Sequence, residues 1–211
     1  ANTAKVTNAT HTGDVTGATA LTIAVDAVDI AMLSATGTAS SSTFLRGDNA
    51  WEAAGGGKVN QVVSVFKSDT FSTSSATMVD VTDVTAAITP SASDSKVLIT
   101  VSMVVGPLAG GLCALRLKRV LDSVTTYPGV GDAAGSRSQS FYACGGSASY
   151  NGWSVNFTFL DSPASTLEST YTVQIKSETA MTVFVGRSAT DTDTANYGRS
   201  GSTITLMEIL A

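Results

Sequence analysis

From Val59 to the end of the chain, apolar residues return at every second position in run after run. Val59, Gln61, Val63 and Val65 alternate with Asn60, Ser64 and Phe66. Val97, Ile99, Val101, Met103 and Val105 share one face, and Cys113, Leu115 and Leu117 alternate with Arg116 and Lys118. The cleanest run sets Trp153, Val155, Phe157 and Phe159 against Ser154, Asn156 and Thr158, which puts Trp153 in the expected core. Tyr171, Val173 and Ile175, then Met181, Val183 and Val185, then Ser202 to Leu210, complete the series. Side chains two apart line one face of a strand, so these runs predict about eight to ten short strands. Between Met78 and Ile88 the apolar parity switches from Val79 and Val81 to Val84, Ala86 and Ile88, which predicts a bulge or corner near Asp83. Strands at this spacing, with turn residues between them, predict an all-β, jelly-roll-like antiparallel β-sandwich.

Two strands are apolar on both parities. Leu98 and Val104 sit on the second face of the 97–105 run, and the closing run, Thr203 to Leu210, becomes apolar on both parities towards its end. A face that is not meant for water needs a cover, so burial against neighbouring subunits is expected, with Leu206 and Ile209 as interface candidates. A strand lying under a loop of its own chain is the alternative.

The first 54 residues lack such material, with Phe44 and Trp51 as their aromatics. Gly55-Gly56-Gly57 marks the change, so residues 1–57 are read as a shaft, neck and attachment segment and 58–211 as a sandwich domain. Leu21, Val25, Val28 and Met32 are spaced four, three and four apart, a heptad-like stripe. A helix that short is marginal alone, so these four are candidates for packing against identical chains; a strand or loop on the main domain is the alternative.

Composition narrows the function. Of 211 residues, 27 are Ser and 30 are Thr, while charged residues make up only 14% and the net charge is −5. Twelve basic residues scattered along the chain cannot build a phosphate-binding face, so no nucleic-acid partner is expected. No apolar run approaches the ~20 residues that span a bilayer, and the first residues have no signal-peptide layout, so no membrane insertion is expected. One histidine, His11, and two cysteines, Cys113 and Cys144, supply neither a zinc ligand set nor a Ser-His-Asp or Cys-His site. Intracellular thiols normally stay reduced, which favours Cys113 as a small core hydrophobe sharing the parity of Leu115 and Leu117; a bridge to Cys144 is the alternative.

The segments Thr10 to Gly17, Ala20 to Ile23, Ala27 to Leu33 and Ser40 to Trp51 resemble shaft and neck segments of bacteriophage tail-fibre proteins. More loosely, the opening Val59-Asn60-Gln61-Val62-Val63 and the closing Ile204 to Ile209 are similar to the C-terminal β-sandwich of such fibres. The resemblance implies a homotrimeric virion fibre, an intertwined shaft ending in a tip that touches the host surface. It implies self-association, contact with other virion proteins through the N-terminal segment, and a cell-surface polysaccharide or protein receptor. Head fibres and capsid decoration proteins use similar parts, so a structural spike without receptor binding is the alternative.

Loops between the strands hold the material for such contact. Segments 125–132, 137–142, 147–153 and 194–199 set aromatics beside Gly, Asn, Ser and Arg, and sugars are bound by flat rings with polar groups around them. Tyr127, Arg137, Tyr150, Tyr197 and Arg199 are the candidates.

Other motifs carry blander readings. Arg46-Gly47-Asp48 spells an adhesion tripeptide but reads as a turn in which Asp48 or Asn49 bonds back to the backbone. Asp191 and Asp193 read as a solvated acidic turn rather than a cation loop. Asp132, Asp161, Glu168 and Glu178 are carboxylates from which a hydrolytic pair could be drawn, but nothing in their spacing selects one. No enzymatic activity, metal or cofactor is expected.

Overall fold

The computed structural model describes residues 15–16, 22–23, 25, 30–53 and 58–211. The chain divides into two compact units, Ala1–Gly56 and Gly57–Ala211.

In the first unit, β1 (Val15–Thr16) pairs antiparallel with β2 (Thr22–Ile23), and β3 (Thr43–Leu45) with β4 (Trp51–Ala53). The turn between β3 and β4 holds the tripeptide. Arg46 N–H donates to Ala50 O, Asp48 Oδ1 accepts from Ala50 N–H, and the positive φ of 62° falls on Asn49 rather than Gly47. Leu21 and Val28 of the heptad-like stripe lie outside the described residues. Its remaining members are not α-helical here: Val25 lies in a turn after β2, and Met32 ends a single 3-10 turn, Ile30–Met32. Val25 is 91% exposed and Met32 58%.

The second unit is an antiparallel sandwich. One sheet runs β5 (Val59–Lys67), β15 (Ser202–Ile209), β8 (Lys96–Pro107) and β12 (Trp153–Asp161); beyond the start of β15, β14 (Val183–Val185) pairs with the Val105–Pro107 end of β8 on the edge opposite β12, and β6 (Phe71–Thr73) pairs with β14. The other runs β7 (Val79–Ile88), β13 (Ser169–Ser177) and β9 (Leu112–Leu121), with β10 (Val124–Thr126) and β11 (Tyr142–Gly145) on two halves of the outer edge of β9. The expected alternation fills the space between them: Val97, Ile99, Val101, Val105, Leu115, Leu117, Val155, Tyr171, Val173, Ile175, Ile204 and Leu206 are all fully buried. The parity switch in β7 is present as well. Asp83 has φ of 62°, and the register against β13 shifts between Thr172 and Gln174.

Three expectations are corrected. Leu206 lies inside the sandwich, because Ile204, Leu206 and Glu208 form the inward parity of β15, so no neighbouring chain can cover it. Ile209 stays on the outward parity, half-buried. Trp153, expected in the core, is 37% exposed, because it starts β12 at the open end of the sheet. Cys113 is buried as expected but is bonded to Cys144: the two are direct cross-strand partners on β9 and β11, with Cα atoms 5.3 Å apart.

The outward face of the first sheet is organised in rows across the strands. Val62, Met207, Leu98 and Leu160 stand side by side, and next to them Ser64, Thr205, Thr100 and Thr158. Ser64 and Thr205 share a 2.8 Å hydroxyl–hydroxyl hydrogen bond. A third row holds Phe66, Thr203, Ser102 and Asn156. None of these twelve residues is charged.

Candidate functional site

The two ends of the sandwich differ in kind. At one end Ile209 pairs with both Val59 and Lys96, and Leu210 N–H donates to Lys58 O at 2.7 Å, so the domain's first and last residues meet there. A buried triad lies at the same end. Asp161, from β12, accepts from Arg119 of β9 at 2.6 Å and from the Tyr171 hydroxyl of β13 at 2.8 Å, which ties the two sheets together. Burial and the Asp161 charge both push the Tyr171 phenol far above its ordinary range. A shallow cavity of about 340 Å³ beside the triad is walled by Leu121, Val124, Pro163 and Leu167.

The opposite end, where β8 finishes at Pro107, gathers the loops. Gly110 N–H donates to Gly146 O and Gly146 N–H to Gly111 O, both at 2.7 Å, which clamps the 108–111 turn to the segment after β11. Thr190 N–H donates to Ser149 O at 2.7 Å, joining the Tyr150 loop to the long loop before β15. A close backbone crossing holds that loop in place. A Cβ on Gly106 would stand 2.4 Å from the Arg187 carbonyl oxygen, so only glycine fits there.

Of the five candidates, four fall at this end. Tyr150 is 64% exposed and free for stacking, with Trp153 following it at the start of β12. Tyr197 is half-buried within the 191–199 loop. Arg199 is engaged: it meets Asp191 at 2.6 Å, and Arg187 approaches the same carboxylate at 3.5 Å while its guanidinium stacks over Phe184. Asp191 is thereby occupied by two cations. Tyr127 stands apart, since Arg116 lies 3.5 Å above its ring centroid and covers one face of it. Among the described residues no group of three or more His, Cys, Asp or Glu is arranged to hold a metal ion.

Arg137 opens onto a cleft of about 450 Å³ beside β9 and β11. Leu112, Ala114 and Ala143 form its apolar part, and Ser136, Ser138, Ser140 and Glu178 its polar part. Burial works against the Glu178 charge, but the Ser138 hydroxyl that donates to it and Lys176 at 3.1 Å outweigh burial, and its carboxyl sits below the usual carboxylate range. The serines were legible only as a pattern: Ser136-Arg137-Ser138-Gln139-Ser140 puts hydroxyls at alternate positions around the one candidate in that segment. Glu178 could be named as a carboxylate but not placed, because its approach to Ser138 depends on β13 running beside β9.

No family model matches the sequence, and no curated protein sequence does. Among solved structures the chain is similar to one titled as infectious bursal disease virus, Gx strain, at 12% identity and a TM-score of 0.37 over 72% of this chain. It is also similar to the VP2 subviral particle of infectious bursal disease virus, at 13% identity and a TM-score of 0.31 over 71% of this chain. The chain spans 37% and 41% of the length of those two chains. Overlap this loose carries no functional inference.

Proposed function

We propose that the chain is a virion fibre protein, homotrimeric, whose sandwich domain is the tip that attaches to a host cell-surface glycan. One observation carries the reading: the domain's two chain ends meet at one end of the sandwich, while the aromatic and hydroxyl-rich loops gather at the other. An attachment tip needs that polarity, since one end must join the particle and the other must face the cell. The resemblance of residues 10–51 to fibre shaft and neck segments supplies the virion setting, though residues 1–14, 17–21, 24 and 26–29 lie outside the described residues. Assembly is supported by the three charge-free rows on the outward face of the first sheet, where Val62, Phe66 and Leu160 are 55%, 66% and 47% exposed. The tip is read as binding without chemistry: of the four carboxylates from which a hydrolytic pair could be drawn, Asp161 is held by Arg119 and Tyr171, and Glu178 by Ser138 and Lys176.

The test is binding of fluorescently labelled full chain to intact host cells before and after enzymatic removal of surface polysaccharide. Saturable binding that is lost on removal, and lost in Tyr150→Ala with the fold intact, is the expected result. Absence of cell binding alongside tight incorporation into particles would replace attachment with a purely structural spike.

A further inference from the structure

We infer that the cleft beneath the 136–140 loop is a subsite for an anionic saccharide, with the sugar's acidic group on Arg137 and its hydroxyls on the alternating serines. The inference rests on the attachment reading and specifies the class of glycan that reading leaves open.

The cleft has the two surfaces a pyranose needs. Ala143 and Leu112 offer apolar carbon for the C–H face of a ring; Ser136 and Ser140 each offer one donor and two acceptor sites for ring hydroxyls, and Ser138, whose proton goes to Glu178, offers acceptor sites. Charge then selects among sugars. Glu178 is already neutralised by Lys176 and bonded by Ser138, so it repels an acid only weakly. Arg137 is not neutralised. Its guanidinium makes a 3.5 Å hydrogen bond to the Ala134 carbonyl and, among the described residues, no ion pair.

In a chain of net charge −5, a guanidinium with most of its N–H fork unused stands at the mouth of a hydroxyl-lined cleft. The other candidate arginine differs, because Arg199 is spent on Asp191. A guanidinium fork matches a carboxylate or phosphate through two parallel hydrogen bonds, which a neutral sugar cannot supply. The ligand class is therefore a saccharide bearing a carboxylate or a phosphate.

The test uses the full wild-type chain and isothermal titration with matched pairs: trigalacturonate and its methyl ester, sialyllactose and lactose, mannose 6-phosphate and mannose. At least one acidic member is expected to bind about tenfold or more tightly than its neutral partner, the difference a charge-assisted hydrogen bond provides. The pair that responds tells carboxylate from phosphate. Arg137→Ala should erase that preference, Arg137→Lys should retain part of it, and added salt should weaken it; both variants should keep the wild-type melting temperature, since Arg137 is exposed. Equal affinity for acidic and neutral partners, or a preference that survives Arg137→Ala, would overturn the inference. If no acidic probe binds while the wild-type chain still adsorbs to host cells through polysaccharide, the subsite fails and the attachment reading stands. If adsorption is absent as well, both fail.

Discussion

Glu208 is a fully buried carboxylate whose partners all come from elsewhere in the sequence. It accepts from the Ser91 N–H and hydroxyl at 2.6 Å each, from Asn60 at 2.8 Å and from Gln61 at 2.7 Å. Burial opposes its charge, yet these four neutral donors prevail and hold its carboxyl far below the ordinary range. The unfolded chain therefore binds this proton at a higher pH than the folded one does. The stabilisation is complete above the ordinary glutamate range, near pH 4.3, and drains away as pH falls below it towards the depressed native value. Urea unfolding followed from pH 7 to pH 3 should show a midpoint that drops on the acid side. Glu208→Gln should flatten that drop and cost roughly 2 kcal/mol at pH 7; an unchanged pH profile in that variant would assign the acid sensitivity elsewhere.

The disulfide is the second residue-scale test. It closes a loop of 31 residues, so replacing both cysteines by Ala should cost about 3 to 4 kcal/mol and lower the melting temperature, as should reductant acting on the wild type. A melting curve indifferent to both changes would mean the bond does not form in solution. The alternation from Cys113 to Leu117 made the burial of Cys113 legible. Its partner was not, because Cys144 reaches it only through the β9–β11 register, set after the 20 residues between Leu121 and Tyr142, of which only the three of β10 are strand. Glu208 shows the same limit: its parity with Ile204 and Leu206 put a carboxylate on an apolar face, but Asn60, Gln61 and Ser91 could not be named as its donors from their positions.

At the scale of elements, the long strands are legible because each carries a run of apolar positions at a period of two, whereas β6, β10 and β11 span three or four residues and carry no period. Those short strands exist because they complete the edges of β14 and β9, a tertiary cause without a local signature. The turn between Arg46 and Ala50 was legible in kind from its Gly, Asp and Asn content. The close crossing at Gly106 was not, since its cause is a carbonyl 81 residues away in sequence. Gly106→Ala should cost about 1 to 3 kcal/mol by displacing the 186–188 backbone. Weakened glycan binding should accompany it, because the same loop holds Ser149 through Thr190; full stability and binding in this variant would mean the crossing is loose. The doubly apolar strands were legible too, and the rows they form give a sharper test than the pattern did. Leu98→Lys or Met207→Lys places an ammonium in the middle of a charge-free row, where its partners are Leu160, Val62 and each other. Either should dissociate the assembly while far-ultraviolet circular dichroism stays the same, since both side chains point away from the core. An assembly untouched by both substitutions would move the interface to another surface.

At the scale of the whole molecule, the account rests on polarity and on copies. Polarity follows from topology: β5 begins and β15 ends side by side, and the turns that directly follow β8 and β11 lie at the far end. All five loop candidates read alike in the sequence, as aromatics and arginines beside Gly, Asn and Ser, and the gathering of four of them at one end is set by the strand topology. Tyr127 was not separable from them in the sequence, since its covering by Arg116 is a contact between β9 and the chain leaving β10. The proposed copies are supported by the uncovered rows on the first sheet and by the resemblance of the first unit to intertwined shafts. The measurement that bears most directly on this account is the mass of the full chain in solution by native mass spectrometry at low micromolar concentration. A fibre tip of three chains predicts three times 21.4 kDa, or 64.2 kDa; a stable species of 21.4 kDa would contradict it.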